Sequence, residues 1–226
     1  MSFSQARLLA MPACAMIFWM RSTHKGYRRN AYKYIREKVV MRDVVLCGDS
    51  EGSFGEFARR LGFADVLPVF SSMQAARQSV QKGKGVIVPA EKIAQAKKEG
   101  LMVFAHASRE AIERGADVVF GFEKLGGRDK MHYRDSGLNQ VLCRLAAQKG
   151  VAIGFSFADV LSVQGAQRAV LLGRMMQNIR LCRKFKVAVR LGSFASSPKG
   201  MRGREDLISL FCSVGFSRSE VLAGFR

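Results

Sequence analysis

From residue 41 onward, short apolar runs rich in β-branched residues alternate with stretches in which apolar side chains recur every three or four positions. The first kind of pattern predicts strands over 43–46, 66–70, 85–88, 102–105, 117–120, 151–155 and 187–191. The second predicts helices over 55–61, 72–80, 90–98, 109–114, 136–149, 168–184 and 202–212. Strand and helix alternate, and a crossover of that length between consecutive strands implies parallel pairing. Gaps of about twenty residues between strands favour a closed α/β barrel over an open sheet. The early units are shorter than those of an eight-stranded barrel of about 250 residues, so about seven parallel strands in an incomplete or distorted ring are expected.

The stretch from Gly121 to Phe157 concentrates the polar signal. Between the fifth strand and the helix of 136–149 lie twelve residues, 124–135, with four cations, two glycines and a histidine but no apolar period. This is a loop, and it leaves the C-terminal end of a strand, where the loops of parallel barrels carry function. Ser136 is the expected N-cap of the helix that follows, and Gly150 its end. In an extended loop Arg128, Lys130, His132 and Arg134 project to one side, alternating with Asp129, Met131, Tyr133 and Asp135. That row suits a phosphate backbone, with Tyr133 and His132 stacking on an unpaired base. The plain alternative is a solvated loop with local Arg–Asp pairs.

On the helix of 168–184, Leu171, Leu172, Met175, Met176, Ile179 and Cys182 share an arc of about 140° and predict the core-facing side. Arg174, Gln177, Arg180 and Lys184 lie opposite. No acid occurs from Arg168 to Lys186, so that face repels itself unless something anionic covers it.

The whole chain is strongly basic. Its 226 residues carry 37 Lys and Arg against 18 Asp and Glu, a net charge of +19, which favours a polyanionic partner: nucleic acid first, an anionic membrane second. A general solubility device is the other explanation. Residues 1–40 differ from the remainder, with an apolar run at 8–20 that is too short to span a bilayer and a basic segment at 21–38. They read as an extension: either Met41 is the true start, or the segment is a basic arm for RNA. They hold eight cations and one acid, so the single domain of 41–226 keeps a surplus of 12. A 48% hydrophobic content is ample for one core. Five isolated cysteines without a CxxC pair suggest neither a disulfide framework nor a zinc site, and a reducing cytoplasm is the simplest setting.

Acids and histidines at strand ends raise a second possibility, a stand-alone metal-dependent phosphoesterase. Asp49 and Glu51 follow the first strand, His106 the fourth, Glu123 the fifth and Asp159 the sixth. Two metals about 4 Å apart need more ligands than this, and there is no HxH pair. The glycine-rich 48–55 lacks the Lys-Ser/Thr of a phosphate loop. No catalytic residue and no metal ligand is therefore expected in this chain.

Two segments are distinctive: HYRDSGLNQVLCRLAAQKGVAIGFSFADVL from His132, and RMMQNIRLCRKFKV from Arg174. Both resemble archaeal ribonuclease P protein component 3, the family of the thirty-kilodalton ribonuclease P subunit of eukaryotes, with similarity over roughly 41–216. The resemblance implies a TIM-barrel-like fold and a role as protein subunit of the ribonucleoprotein that removes the 5′ leader from precursor tRNA. It implies that the RNA performs the cleavage with Mg2+ bound there and no cofactor on this chain. The partners implied are ribonuclease P RNA, precursor tRNA through the complex, and other protein subunits, notably a small RRM-like one, with no membrane. The residues expected to meet RNA are Arg128, Lys130, His132, Arg134, Arg174, Arg180 and Lys184.

Overall fold

The computed structural model describes residues 40–48, 53–81 and 83–226. The expectations for residues 1–39, and for Asp49 and Glu51, lie outside the described residues. Seven strands run in chain order around one parallel sheet: β1 (Arg42–Leu46), β2 (Asp65–Phe70), β3 (Gly85–Ile87), β4 (Met102–His106), β5 (Val118–Phe120), β6 (Ala152–Ser156) and β7 (Val189–Gly192). Each pairs in parallel with the next. The crossovers contain α1 (Phe54–Arg60), α2 (Met73–Gln78), α3 (Ile93–Lys98), α4 (Arg109–Glu113), α5 (Gln140–Lys149), α6 (Phe157–Leu161) and α7 (Gly165–Phe185). After β7 come α8 (Arg204–Ser213) and α9 (Arg218–Gly224).

The sheet curls until its first and last strands meet. Beyond β7 the chain continues beside β1, where Val45 and Ala195 form an isolated parallel bridge. The Phe194 amide donates to the Val44 carbonyl at 2.7 Å and the Leu46 amide to the Ala195 carbonyl at 2.9 Å. One carboxylate reinforces this seam: Asp43, fully buried, accepts from the Ser193 amide at 2.6 Å. The ring is a seven-stranded, nearly closed TIM-like barrel, distorted as the short early units predict.

Alternation along the strands fills its interior. Val44, Leu67, Val69, Phe104, Val118, Phe120 and Phe194 form one buried cluster, with Leu46, Ile87, Met102 and Ala152 packed against it. Burying each large apolar side chain contributes about 1.5–3 kcal/mol. Aromatic volume is accommodated by absent side chains elsewhere: a methyl at Gly192 would stand 2.7 Å from the Val44 Cβ. The Phe120 and Phe194 rings pack at 5.1 Å between centroids.

Two local expectations are corrected. Ser136 does not cap α5. The helix starts four residues later, where Asn139 accepts from the Leu142 amide at 2.9 Å, while the Ser136 hydroxyl is buried and donates to Asn178 Oδ1 at 2.6 Å. The pattern of 202–212 ends one helix too early. Helix α9 follows, started by a capping box in which Ser217 and Glu220 satisfy each other's backbone amides.

Candidate nucleic-acid interface

The loop between β5 and α5 does not run extended. It folds onto α7, and the residue that fastens it is Arg174. Its Nε donates to Asp129 Oδ1 at 2.9 Å, Nη1 to the carbonyls of Glu123 and Leu125 at 3.2 Å each, and Nη2 to the Gly127 carbonyl at 2.5 Å. Arg174 is 8% exposed. This corrects the expectation that it stands on the outer basic face of the helix. The wheel places it away from the barrel core, but the loop supplies a second layer that covers it. A planar guanidinium with donors on several sides suits a ring of carbonyls as an ammonium does not.

Asp129 is the loop's hub. Besides Arg174 it takes Arg134 Nη1 at 3.1 Å and the Asp135 amide at 3.0 Å. Desolvation pushes its carboxyl up, but the bonds from Arg174 and the Asp135 amide prevail and hold it below the ordinary aspartate value. Arg134 is drawn back as well. Its amide donates to Gln177 Oε1 at 2.9 Å, its carbonyl accepts from Gln177 Nε2 at 2.7 Å, and its guanidinium lies over Gly173. Gly126 makes the first bend at φ 94°, so close to the Asp135 carbonyl that a side chain would collide with it.

Beneath the loop lies a buried polar chain that the sequence reading missed. Ser136 bonds Asn178, and Asn178 Nδ2 donates to Glu123 Oε1 at 3.1 Å. Burial pushes the Glu123 carboxyl up to about 7. The only sequence signal was an asparagine between the apolar Met175 and Ile179, on the side of the helix predicted to be core.

What remains outward is a cationic edge around a cleft of about 490 Å3. Among the seven residues expected to meet RNA, Arg128, Lys130, His132, Arg180 and Lys184 are exposed. Among the described residues none of these five has a hydrogen-bonded or ion-paired side chain. Arg134 is exposed but paired, and Arg174 is interior. The cleft itself is lined by Lys130, Met131, His132, Tyr133, Met176 and Arg180. Met131 is 93% and Tyr133 58% exposed, so a flexible thioether and an aromatic ring stand in water between cations. Cations flanking an aromatic platform match the two demands of an unpaired nucleotide, phosphate neutralisation and base stacking. Met176, expected in the core arc, is 39% exposed and belongs to this cleft.

The acids at the strand ends are engaged elsewhere. Asp159 pairs with Lys124, Glu123 is committed to Asn178, and His106 is exposed with its ring 4.9 Å from that of Phe120. No three His, Cys, Asp or Glu side chains converge on a metal-sized site among the described residues. No helix among them is long and apolar enough to cross a membrane. Cys143 on α5 and Cys182 on α7 are both buried.

Comparison with known proteins places the resemblance on the same half of the chain. Residues 129–226 match the family described as RNase P subunit p30. Ribonuclease P protein component 3 of Thermococcus kodakarensis is 35% identical over 119 residues, which cover 53% of this chain and 51% of that protein. The protein of the same name from Methanosarcina acetivorans is 38% identical over 89 residues, 39% of this chain and 37% of its own. The chain thus spans about half, or less, of the curated relatives it matches. A chain from a solved structure described as archaeal ribonuclease P with mature tRNA superposes with a TM-score of 0.61 at 18% identity, covering 80% of this chain and 86% of that one, which shows a shared fold.

Proposed function

We propose that this chain, whose residues 129–226 carry the match to the RNase P subunit p30 family, is a protein subunit of ribonuclease P. In this reading it binds and stabilises the RNA that removes the 5′ leader from precursor tRNA. The observation that carries the RNA contact is the exposed Lys130 and Arg180 lining the Tyr133 cleft, with Arg128 exposed on the same loop and Lys184 on the same helix. Each cation that meets a phosphate releases condensed counterions, so the contact favours compact RNA and weakens with salt. Tyr133 and Met131 give one unstacked base an apolar surface, and His132 lies beside them. Arg174 and Asp129 act indirectly by holding the loop in the shape that presents these groups. The chemistry and its Mg2+ belong to the RNA in this reading, and the chain works alongside other protein subunits, including a small RRM-like one. The strand-end acids are dispersed and already engaged, Glu123 with Asn178 and Asp159 with Lys124, which favours this reading over a stand-alone metal phosphoesterase.

Reconstitution tests it. With Arg128, Lys130, Arg180 and Lys184 all changed to Glu, the folded chain should no longer stimulate leader removal by ribonuclease P RNA with its other subunits. Stimulation equal to that of the native chain refutes the assignment of this surface.

A further inference from the structure

The strand register points two more arginines into the barrel, at the end opposite the loop. Arg42 opens β1 and shares its inward face with Val44 and Leu46, while Arg190 in β7 shares its face with Gly192, which abuts Val44. Both therefore stand toward the N-terminal mouth of the ring, Arg42 paired with Asp65 at the first position of β1 and Arg190 paired with Gly154 at the second position of β7. Each is half-buried. Among the described residues neither guanidinium has a hydrogen bond or an ion pair. Asp65 is the register partner of Arg42, yet it is exposed and takes part in no ion pair. Arg42 extends instead towards Gly83, whose missing side chain leaves room for it: a Cβ there would be 3.3 Å from Nη1.

Two cations near enough to feel each other at a partly desolvated opening repel, and their ten N–H donors have no acceptor among the described residues. Burial first, and then the charge of Arg42, holds Arg190 below the ordinary arginine value. An inward pair of this kind is costly in the empty barrel and becomes favourable once an anion with several acceptor oxygens lies between the forks.

We infer that the N-terminal mouth of the barrel is an anion site, in which Arg42 and Arg190 together hold a phosphoryl group. A tetrahedral phosphoryl presents oxygens in two directions, enough for two forks at once. Its source is either a phosphate of an RNA backbone or a free phosphate or small phosphate ester. The site is separate from the loop cleft and does not depend on it.

The test uses the full chain in chloride buffer, titrated with inorganic phosphate at constant ionic strength and followed by calorimetry and thermal melting. Three proteins are compared: native, R42Q/R190Q, and K92Q/K199Q, two exposed lysines outside both surfaces, as a control for general basicity. The native chain and the control variant should bind phosphate alike, with the mouth variant weakened about tenfold or more. Without phosphate the mouth variant should melt at or above the native temperature, since it loses only repulsion, and with phosphate the native chain should overtake it. Equal phosphate affinity of native and mouth variant overturns the inference, as does a native chain that takes up none. If ribonuclease P RNA added to the phosphate-loaded native chain releases the phosphate, but does not when the mouth is mutated, the phosphoryl is the RNA's own. Retention of phosphate beside bound RNA identifies a free phosphate or ester.

Discussion

The guanidinium of Arg134 lies flat on the backbone of Gly173, in the space that a side chain at that position of α7 would fill. Loop and helix therefore meet without an intervening side chain, and Arg134 can reach Asp129 only across this glycine. Glycine inside a helix costs about 0.5–1 kcal/mol relative to alanine. Gly173→Ala should recover that and raise the melting temperature slightly, because the displaced group is the far end of a flexible arginine. It should also release Arg134 from Asp129, seen as faster exchange of the Arg134 Nη1 protons. Unchanged Arg134 exchange would show that the contact is incidental.

Removing the fastener should be far more damaging. Arg174→Met takes from Asp129 its most buried partner and leaves three carbonyls without their donor, and breaking a buried ion pair in this way costs about 3–5 kcal/mol. Urea denaturation should report a loss of that order, and hydrogen exchange should quicken selectively over residues 123–137. Arg174→Lys should recover only part of it, since one ammonium cannot serve Asp129 and the carbonyls of Glu123, Leu125 and Gly127 together.

Two buried acids make stability fall as pH rises. Glu123 is pushed up to about 7 and Asp43 to about 6, both by burial, so the folded chain retains protons that the unfolded chain has already released. Between about pH 4.5 and 7 the unfolded state binds fewer protons at Glu123, and the folded state loses up to about 3 kcal/mol across that window. Glu123→Gln, which still accepts from Asn178, should flatten the slope and be more stable than native at pH 8. Asp43→Asn should remove the part of the slope nearer pH 4–6. Measuring unfolding free energy at pH 5, 6.5 and 8 checks both.

Salt dependence separates phosphate contacts from stacking. Lys130→Gln and Arg180→Gln should each lower the slope of log affinity against log salt for RNA by about 0.7–0.9. Tyr133→Ala should weaken binding by about 1–3 kcal/mol with the slope unchanged, and Tyr133→Phe should bind like native. A slope change on Tyr133→Ala would remove the stacking assignment.

Much of the barrel was legible because its strands are short apolar runs separated by amphipathic helices, a pattern set by local burial alone. The seven strands lie within about two residues of their expected ends. Ser136 misled because a good capping residue was needed elsewhere: its hydroxyl serves Asn178, 42 positions away, and Asn139 takes the cap. Helix α9 was missed although Ser217 and Glu220 carry the spacing of a capping box, since a seven-residue helix shows barely two turns of period. Of the candidate site, the exposed cations could be read from charge pattern, but the fate of Arg174 and Arg134 could not. It is decided by a loop folding onto a helix more than 40 residues later in the chain, which no local period records.

The seam between β1 and β7 joins residues 150 positions apart, Asp43 and Ser193. Contacts that distant are the slowest to form, so on a route that builds neighbouring strands first the ring closes last. Until it closes, both terminal strands show free edges, the surfaces on which copies of a chain aggregate. Asp43 sits on one of them and is ionised whenever water reaches it at neutral pH. The carboxylate that burdens the finished barrel is thus a gatekeeper for the unfinished one, repelling stray strands until its own partner arrives.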